Sequence, residues 1–141
     1  MAESNDRNAR NRKVIEEFRA NAGKVEGRSA GFPLLLLTTT GAKSGRQRIN
    51  PVAYLPEGQR LVIFATKGGA PTSPDWYHNL VAHPTVTVEA GSETYQARAV
   101  VATGEERDQL YARQAALYPM FAEYQKRTTR KIPVIILERL R

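Results

Sequence analysis

The sequence predicts an α+β fold, a barrel or sandwich of about six mainly antiparallel strands with flanking helices. Three observations carry this reading. Short apolar or alternating runs recur along the chain, Gly- and Pro-bearing connections join most of them directly, and only three stretches have a helical character. At 141 residues the chain suits one domain. Its organisation divides into a polar N-terminal helical segment, residues 1–31, and a single barrel domain, residues 32–141.

Within the first segment, Val14, Phe18 and Ala22 recur at i, i+4 and i+8 on one helix face, ringed by Arg7, Arg10, Arg12, Lys13 and Arg19. It reads as a solvated helix docked through Phe18. A second reading is a basic segment touching an anionic membrane surface. Residues 34–40, apolar and ending in three threonines, make a buried strand, and residues 48–55 a second. A Pro-Glu-Gly connection leads to a third strand at 61–66. Residues 73–75 can cap a short helix through Trp76, Leu80 and Val81, ended by Pro84. Residues 85–89 alternate, 90–92 turn, and 94–101 return. Thr103 is the N-cap candidate of the longest helix, 105 to about 118, with Glu106 in capping-box position. Pro119 interrupts that helix, and residues 133–137 make the last strand.

Composition narrows the chemistry. Twenty-one basic against 14 acidic residues give a net charge of +7, which favours anionic partners. The absence of cysteine excludes disulfides, thiolate metal sites and cysteine nucleophiles, and fits a reducing cytoplasm. No apolar run is long enough to span a bilayer, and no apolar leader follows Met1. His78 and His83, five apart, share no helix face and have no accompanying ligand set, so no metal is expected. Serine-elbow, dinucleotide and P-loop patterns are missing. An enzyme built from these residues would take its reaction from a cofactor.

Two glycine–cation turns are the candidate binding elements. Thr38-Thr-Thr-Gly-Ala-Lys-Ser-Gly-Arg-Gln-Arg48 places hydroxyls, a glycine turn and the cations Lys43, Arg46 and Arg48 between two strands. Turn N–H groups with such cations can surround a phosphate, although a solvated basic hairpin has the same composition. In Thr66-Lys67-Gly68-Gly69, two glycines let the backbone approach a flat ligand or a phosphate. Trp76 and Asn79 follow, and read equally as a packed ring and a helix-surface amide.

Taken together, Thr-Thr-Gly-x-Lys-Ser-Gly-x-x-Arg48, Asn50-Pro51, Lys67-Gly68-Gly69, Trp76-Tyr-x-Asn79-Leu80, Ala82-x-Pro84, Tyr118-Pro119 and Ile132-Pro133 resemble the deazaflavin-dependent nitroreductase family. The resemblance runs over about residues 30–138. It implies a split β-barrel, similar to the FMN-binding split barrels, that binds coenzyme F-420 and passes a hydride to quinones, activated enones or lactones, or nitro compounds. It also implies roles by position. Lys43, Ser44, Gly45 and Arg48 match the loop for the phosphate and tail, Asn50 lies in a matching block, and Arg46 can replace the basic residue missing at Ala42. Thr66, Lys67, Gly68 and Gly69 match the segment along the deazaflavin. Trp76 and Asn79 match the helix closing the cofactor groove, and Tyr118 and Tyr124 match substrate-pocket tyrosines. Phe121 and Ala53 stand where further tyrosines can occur, which implies a more apolar pocket. The partner is then a small-molecule acceptor rather than nucleic acid, and the protein a monomer or loose homodimer. The alternatives are an FMN-dependent split-barrel oxidoreductase and a basic nucleic-acid-binding module; the latter lacks aromatics interleaved with cations.

Overall fold

A computed structural model describes residues 2–21 and 33–140. In chain order the elements are α1 (Ala2–Ala20), β1 (Leu34–Thr40), β2 (Gln47–Glu57), β3 (Arg60–Phe64), a 3₁₀ turn (Lys67–Gly69), α2 (Asp75–Ala82), β4 (Thr85–Ala90), β5 (Glu93–Val101), α3 (Gly104–Leu117), α4 (Met120–Lys126) and β6 (Val134–Arg139). The strands close into an antiparallel barrel in the order β1-β2-β3-β6-β5-β4. The expected six-stranded α+β barrel is the observed one.

Alternation along the strands separates two apolar layers. Leu35 and Leu37, Val52, Ile63, Val86 and Val88, Ala97 and Ala99, and Ile135 and Leu137 come from all six strands and fill the interior. Trp76 and Leu80, one helical turn apart on α2, join this cluster, so α2 plugs one end of the barrel. The second layer draws Val62, Phe64, Val134 and Ile136 from the outer face of β3 and β6. Leu110 and Tyr111 of α3 and Phe121 of α4 cover it. Burial of each large side chain contributes roughly 1.5–3 kcal/mol.

β2 is longer than expected because its two prolines sit where only one neighbour is present. Residues 47–53 pair with β1, and residues 54–57 pair with β3. Pro51 and Pro56 can therefore turn their ring nitrogens to an unpaired side.

The helix ends depart from the sequence reading. Thr103 occupies the N-cap of α3 without a side-chain cap bond, and Pro74 rather than a polar residue caps α2. Pro119 ends one helix and caps the next: α4 follows at once, a position proline tolerates because the first N–H groups of a helix lack intrahelical partners. In α1, Val14 and Phe18 are buried, and the Arg19 guanidinium donates two hydrogen bonds to the Glu89 carboxylate of β4, at 3.0 and 2.8 Å. The apolar face expected on this segment is thus covered by the barrel, and membrane contact through it has no support. Ala22 and the glycine break at 27–31 lie outside the described residues, as do the side chains of Arg7 and Arg10. Among the described residues, no helix is long and apolar enough to cross a membrane.

Candidate active site at one end of the barrel

Antiparallel order decides where the two glycine–cation turns go. β1 ends at Thr40 and β2 returns from Gln47, so their turn lies at one barrel end. β3 runs back along β2 and finishes at Phe64 at that same end. β6 starts there as well, since Phe64 pairs with Val134. The turn at 41–46, the 3₁₀ turn, α2 and the connection from α4 to β6 therefore share one rim.

In the first turn, Gly41 N–H donates to the Arg46 carbonyl at 2.7 Å, and Gly45 N–H donates to the Gly41 carbonyl at 3.0 Å. Arg46 N–H is held by the Ser44 hydroxyl at 3.1 Å, and Ala42 N–H by the Asn79 side-chain oxygen at 3.0 Å. Among the described residues these bonds leave the N–H groups of Lys43 and Ser44 for a ligand. Gly45 supplies the left-handed corner with a φ of 71°. Lys43, Ser44, Arg46 and Arg48 are all exposed. Arg48 lies directly opposite Thr39, so both project from the same face of the barrel wall.

Asn79 acts inside the protein. Its amide donates to the Thr39 hydroxyl at 3.1 Å while its oxygen holds Ala42 N–H, which fastens α2 to the cation turn. It is buried, and a surface amide is excluded. Trp76 is 7% exposed and belongs to the barrel core. Asn50 pairs with Leu37, deeper along the same face as Thr39 and Arg48.

The second turn separates its two glycines. Lys67 has a φ of 47°, the positive-φ non-glycine among the described residues, followed by Gly68 at 63° and Gly69 at 83°. Gly68 has open space where a Cβ would stand. A Cβ on Gly69 would lie 2.6 Å from the Tyr124 carbonyl oxygen and 2.9 Å from the Arg127 Cβ. Gly69 thus permits close approach of the turn to α4. The same contact brings Tyr124 beside the 3₁₀ turn, and Arg127 donates to the Gly68 carbonyl at 3.3 Å.

Tyr118 caps the C-terminus of α3, and Tyr124 lies on α4; both are half-buried. Phe121 stands between them, its ring 6.4 Å from Tyr118 and 5.3 Å from Tyr124. Phe121 itself is 3% exposed and packs edge-on against Phe64. It forms the floor of the aromatic row. Among the described residues the Tyr124 hydroxyl meets the Met120 thioether at 3.3 Å, a weak acceptor, so a carbonyl or phenolate oxygen would compete well for it. Burial pushes the Tyr111 phenol up to about 12, and its hydroxyl donates to the Phe121 carbonyl. Tyr111 is structural.

A separate cleft of about 430 Å³ opens on the outer side of the rim, lined by Thr38, Thr40, Gln47, His83, Thr85 and Gln96 among others. It contains none of the candidate site residues, although Thr38, Thr40 and Gln47 belong to the first glycine–cation segment and Ala82 and Pro84 to the family-like motif. Residues that reach the 3₁₀ turn from the far side, Arg127 and Arg130, were not singled out. The sequence signal for them was the basic run at 126–131, which local reading leaves as a solvated surface.

The model of the F420H(2)-dependent quinone reductase family matches residues 10–139. An F420H(2)-dependent quinone reductase of Mycobacterium tuberculosis is 38% identical over 128 residues, covering 86% of this chain and 85% of that protein. Among solved structures, an F420-H2 dependent reductase, FDR-A, is 43% identical with a TM-score of 0.69, covering 75% of this chain and 94% of the other. A domain-swapped dimer is 39% identical with a TM-score of 0.71, covering 90% of this chain and 96% of the other. By the family match over nearly its whole length and by these identities, the chain belongs to the F420H(2)-dependent quinone reductase family.

Proposed function

We propose that the protein is an oxidoreductase that passes a hydride from reduced coenzyme F-420 to a small organic acceptor, a quinone first among the classes considered. One observation carries this reading: an exposed turn with two undirected N–H groups and three neighbouring cations at the barrel rim, in a chain of this family. The donor set suits the cofactor. A phosphodiester and an oligoglutamate tail need several positive contacts, which Lys43, Arg46, Arg48 and Lys67 offer. The deazaflavin, when bound, supplies the hydride.

The protein's own part is to bind, orient and exclude water. In this reading Lys43, Ser44, Gly45, Arg46 and Arg48 hold the phosphate and tail, with Asn50 on the wall between β1 and β2. Thr66, Lys67, Gly68 and Gly69 lie along the ring and linker. Asn79 acts one step removed, by fixing the turn that does the binding, and Trp76 by seating α2. Tyr118 and Tyr124 flank the acceptor, and the Tyr124 hydroxyl orients its oxygen or gives it a proton. The enzyme works in the cytoplasm as a monomer or loose homodimer.

Titrating the apo protein with F-420 and with FMN at one ionic strength, by ring fluorescence, tests the cofactor. Preference for F-420, with oxidation of its reduced form on addition of a quinone, is the expected result. Equal affinity for both, or tighter FMN binding, overturns it. Enone and nitro acceptors in the same assay rank the acceptor classes.

A further inference from the structure

We infer that Arg130 is a positioning residue, whose guanidinium holds the 3₁₀ turn in the conformation that presents Lys67 to the anionic cofactor. The inference rests on the proposed role of Lys67. Arg130 lies in the connection from α4 to β6, more than 60 residues along the chain from the turn it reaches. Its Nε donates to the Ala70 carbonyl at 2.9 Å, and its Nη1 to the Ser73 hydroxyl at 3.1 Å. Its Nη2 donates to the Ala65 and Thr66 carbonyls at 3.2 and 2.9 Å. Four bonds thus bracket Lys67 on both sides, and a planar fork with five donors is the side chain able to make them together.

The bracketed segment needs holding. Lys67 sits at a φ of 47°, where a side chain with a Cβ is strained, and such conformations persist where the surroundings over-determine them. Arg130 is itself anchored. Its carbonyl accepts from the Gln125 amide at 2.8 Å, and the Gln125 oxygen accepts from Arg107 at 2.8 Å and from Ile132 N–H at 3.0 Å. Arg107 also donates to the Ile132 carbonyl from Nε at 3.0 Å. A continuous polar chain therefore runs from α3 through α4 to the turn. All the acceptors of the Arg130 side chain are neutral, so its charge adds to the positive potential of the rim.

A double-mutant cycle separates positioning from direct contact and from simple stability. The affinity for F-420 is titrated for Lys67→Ala, Arg130→Lys and the pair, with Tm on each, and Arg107→Lys serves as the structural control. Lysine keeps the charge and cannot reproduce the fork. Arg130→Lys and Lys67→Ala are each expected to weaken F-420 binding about 10-fold, and Lys67→Ala to weaken it less than twofold in the Arg130→Lys background. Arg107→Lys should lower Tm with a smaller loss of affinity. Ser73→Ala, which removes one of the four bonds, should cost two- to threefold and keeps the test open should Arg130→Lys not fold. Additive losses overturn the inference, and so does Arg130→Lys or Ser73→Ala binding F-420 like the wild type while Lys67→Ala does not. No loss in Lys67→Ala overturns instead the assignment of that lysine to the cofactor, and the inference with it.

Discussion

Two adjacent glycines with similar backbone angles should respond very differently to alanine. Gly68 has a φ of 63° and nothing within 4 Å of its missing Cβ, so Gly68→Ala meets only the left-handed strain, about 1–2 kcal/mol. Gly69, at 83°, carries the same strain and adds contacts of 2.6 Å to the Tyr124 carbonyl and 3.1 Å to its Cα. These are backbone atoms of α4, which cannot rotate away as a side-chain tip would. Overpacking of this kind costs about 1–3 kcal/mol more, for a total of roughly 2–5 kcal/mol. For a chain of this size the two variants should lose roughly 3–6 °C and 6–15 °C in Tm respectively. Urea denaturation gives the same comparison at constant temperature, and the slope should stay unchanged. α4 carries Tyr124, so Gly69→Ala should also lower quinone turnover at saturating F-420. Equal losses of stability in the two variants would refute the argument that Gly69 exists for the contact with α4.

Three further outcomes follow from the same geometry. Lys43→Ala and Arg48→Ala should weaken F-420 binding more at low than at high salt, because exposed charge contacts are screened; identical losses at both, by fluorescence titration, exclude charge attraction as the cause. Tyr124→Phe or Tyr118→Phe should reduce acceptor turnover several-fold, about 1 kcal/mol, with F-420 affinity nearly intact; full activity in both variants and in the double variant assigns the rings to packing. Tyr111 ionises from 10.0 when unfolded to about 12 when folded, because burial disfavours the phenolate. The native state then holds its proton more tightly, so this stabilisation is complete below pH 10 and is lost as pH rises toward 12. Tyr111→Phe should be less stable at pH 8 yet lose less between pH 10 and 12 in urea melts; a decline as steep as in the wild type refutes it.

The barrel was legible because each strand announces itself locally. Val86 and Val88 alternate with threonines, Ala90-Gly91-Ser92 marks a turn, and the Leu34–Thr40 strand is an unbroken run. What escaped was decided by partners distant in sequence. Pro56 reads as the end of a strand until β3 is known to lie on one side only. Pro119 reads as a breaker, although proline opening a helix followed by Phe121 and Tyr124 at i and i+3 was available as a signal for α4. Gly68 and Gly69 are identical as letters, and the difference between them is the backbone of α4. In the site, sequence located the exposed cations, since a ligand-facing turn must carry its donors in consecutive residues. It could not locate Asn79 as a brace, because its partners, Ala42 in the turn after β1 and Thr39 on β1, are 37 and 40 residues away.

The braces explain how a rim made of loops can serve a reaction that depends on alignment. A hydride donor and acceptor must be held in near-contact, and a misplacement on the order of 1 Å can cost about 100-fold. Loops alone would not hold that tolerance. Here the cation turn is tied to α2 through Asn79, and α2 is seated in the barrel core by Trp76 and Leu80. The 3₁₀ turn is tied through Arg130 and Gln125 to Arg107 of α3, which packs on the outer apolar layer through Leu110 and Tyr111. Each turn is therefore referenced to a different apolar layer of the same six strands. The barrel wall between those layers sets the spacing of the two turns, the spacing that the proposed binding of an elongated anionic cofactor would use. In the proposed site, that arrangement would let the exposed Lys43, Arg46, Arg48 and Lys67 side chains adapt to a charged tail over a braced backbone.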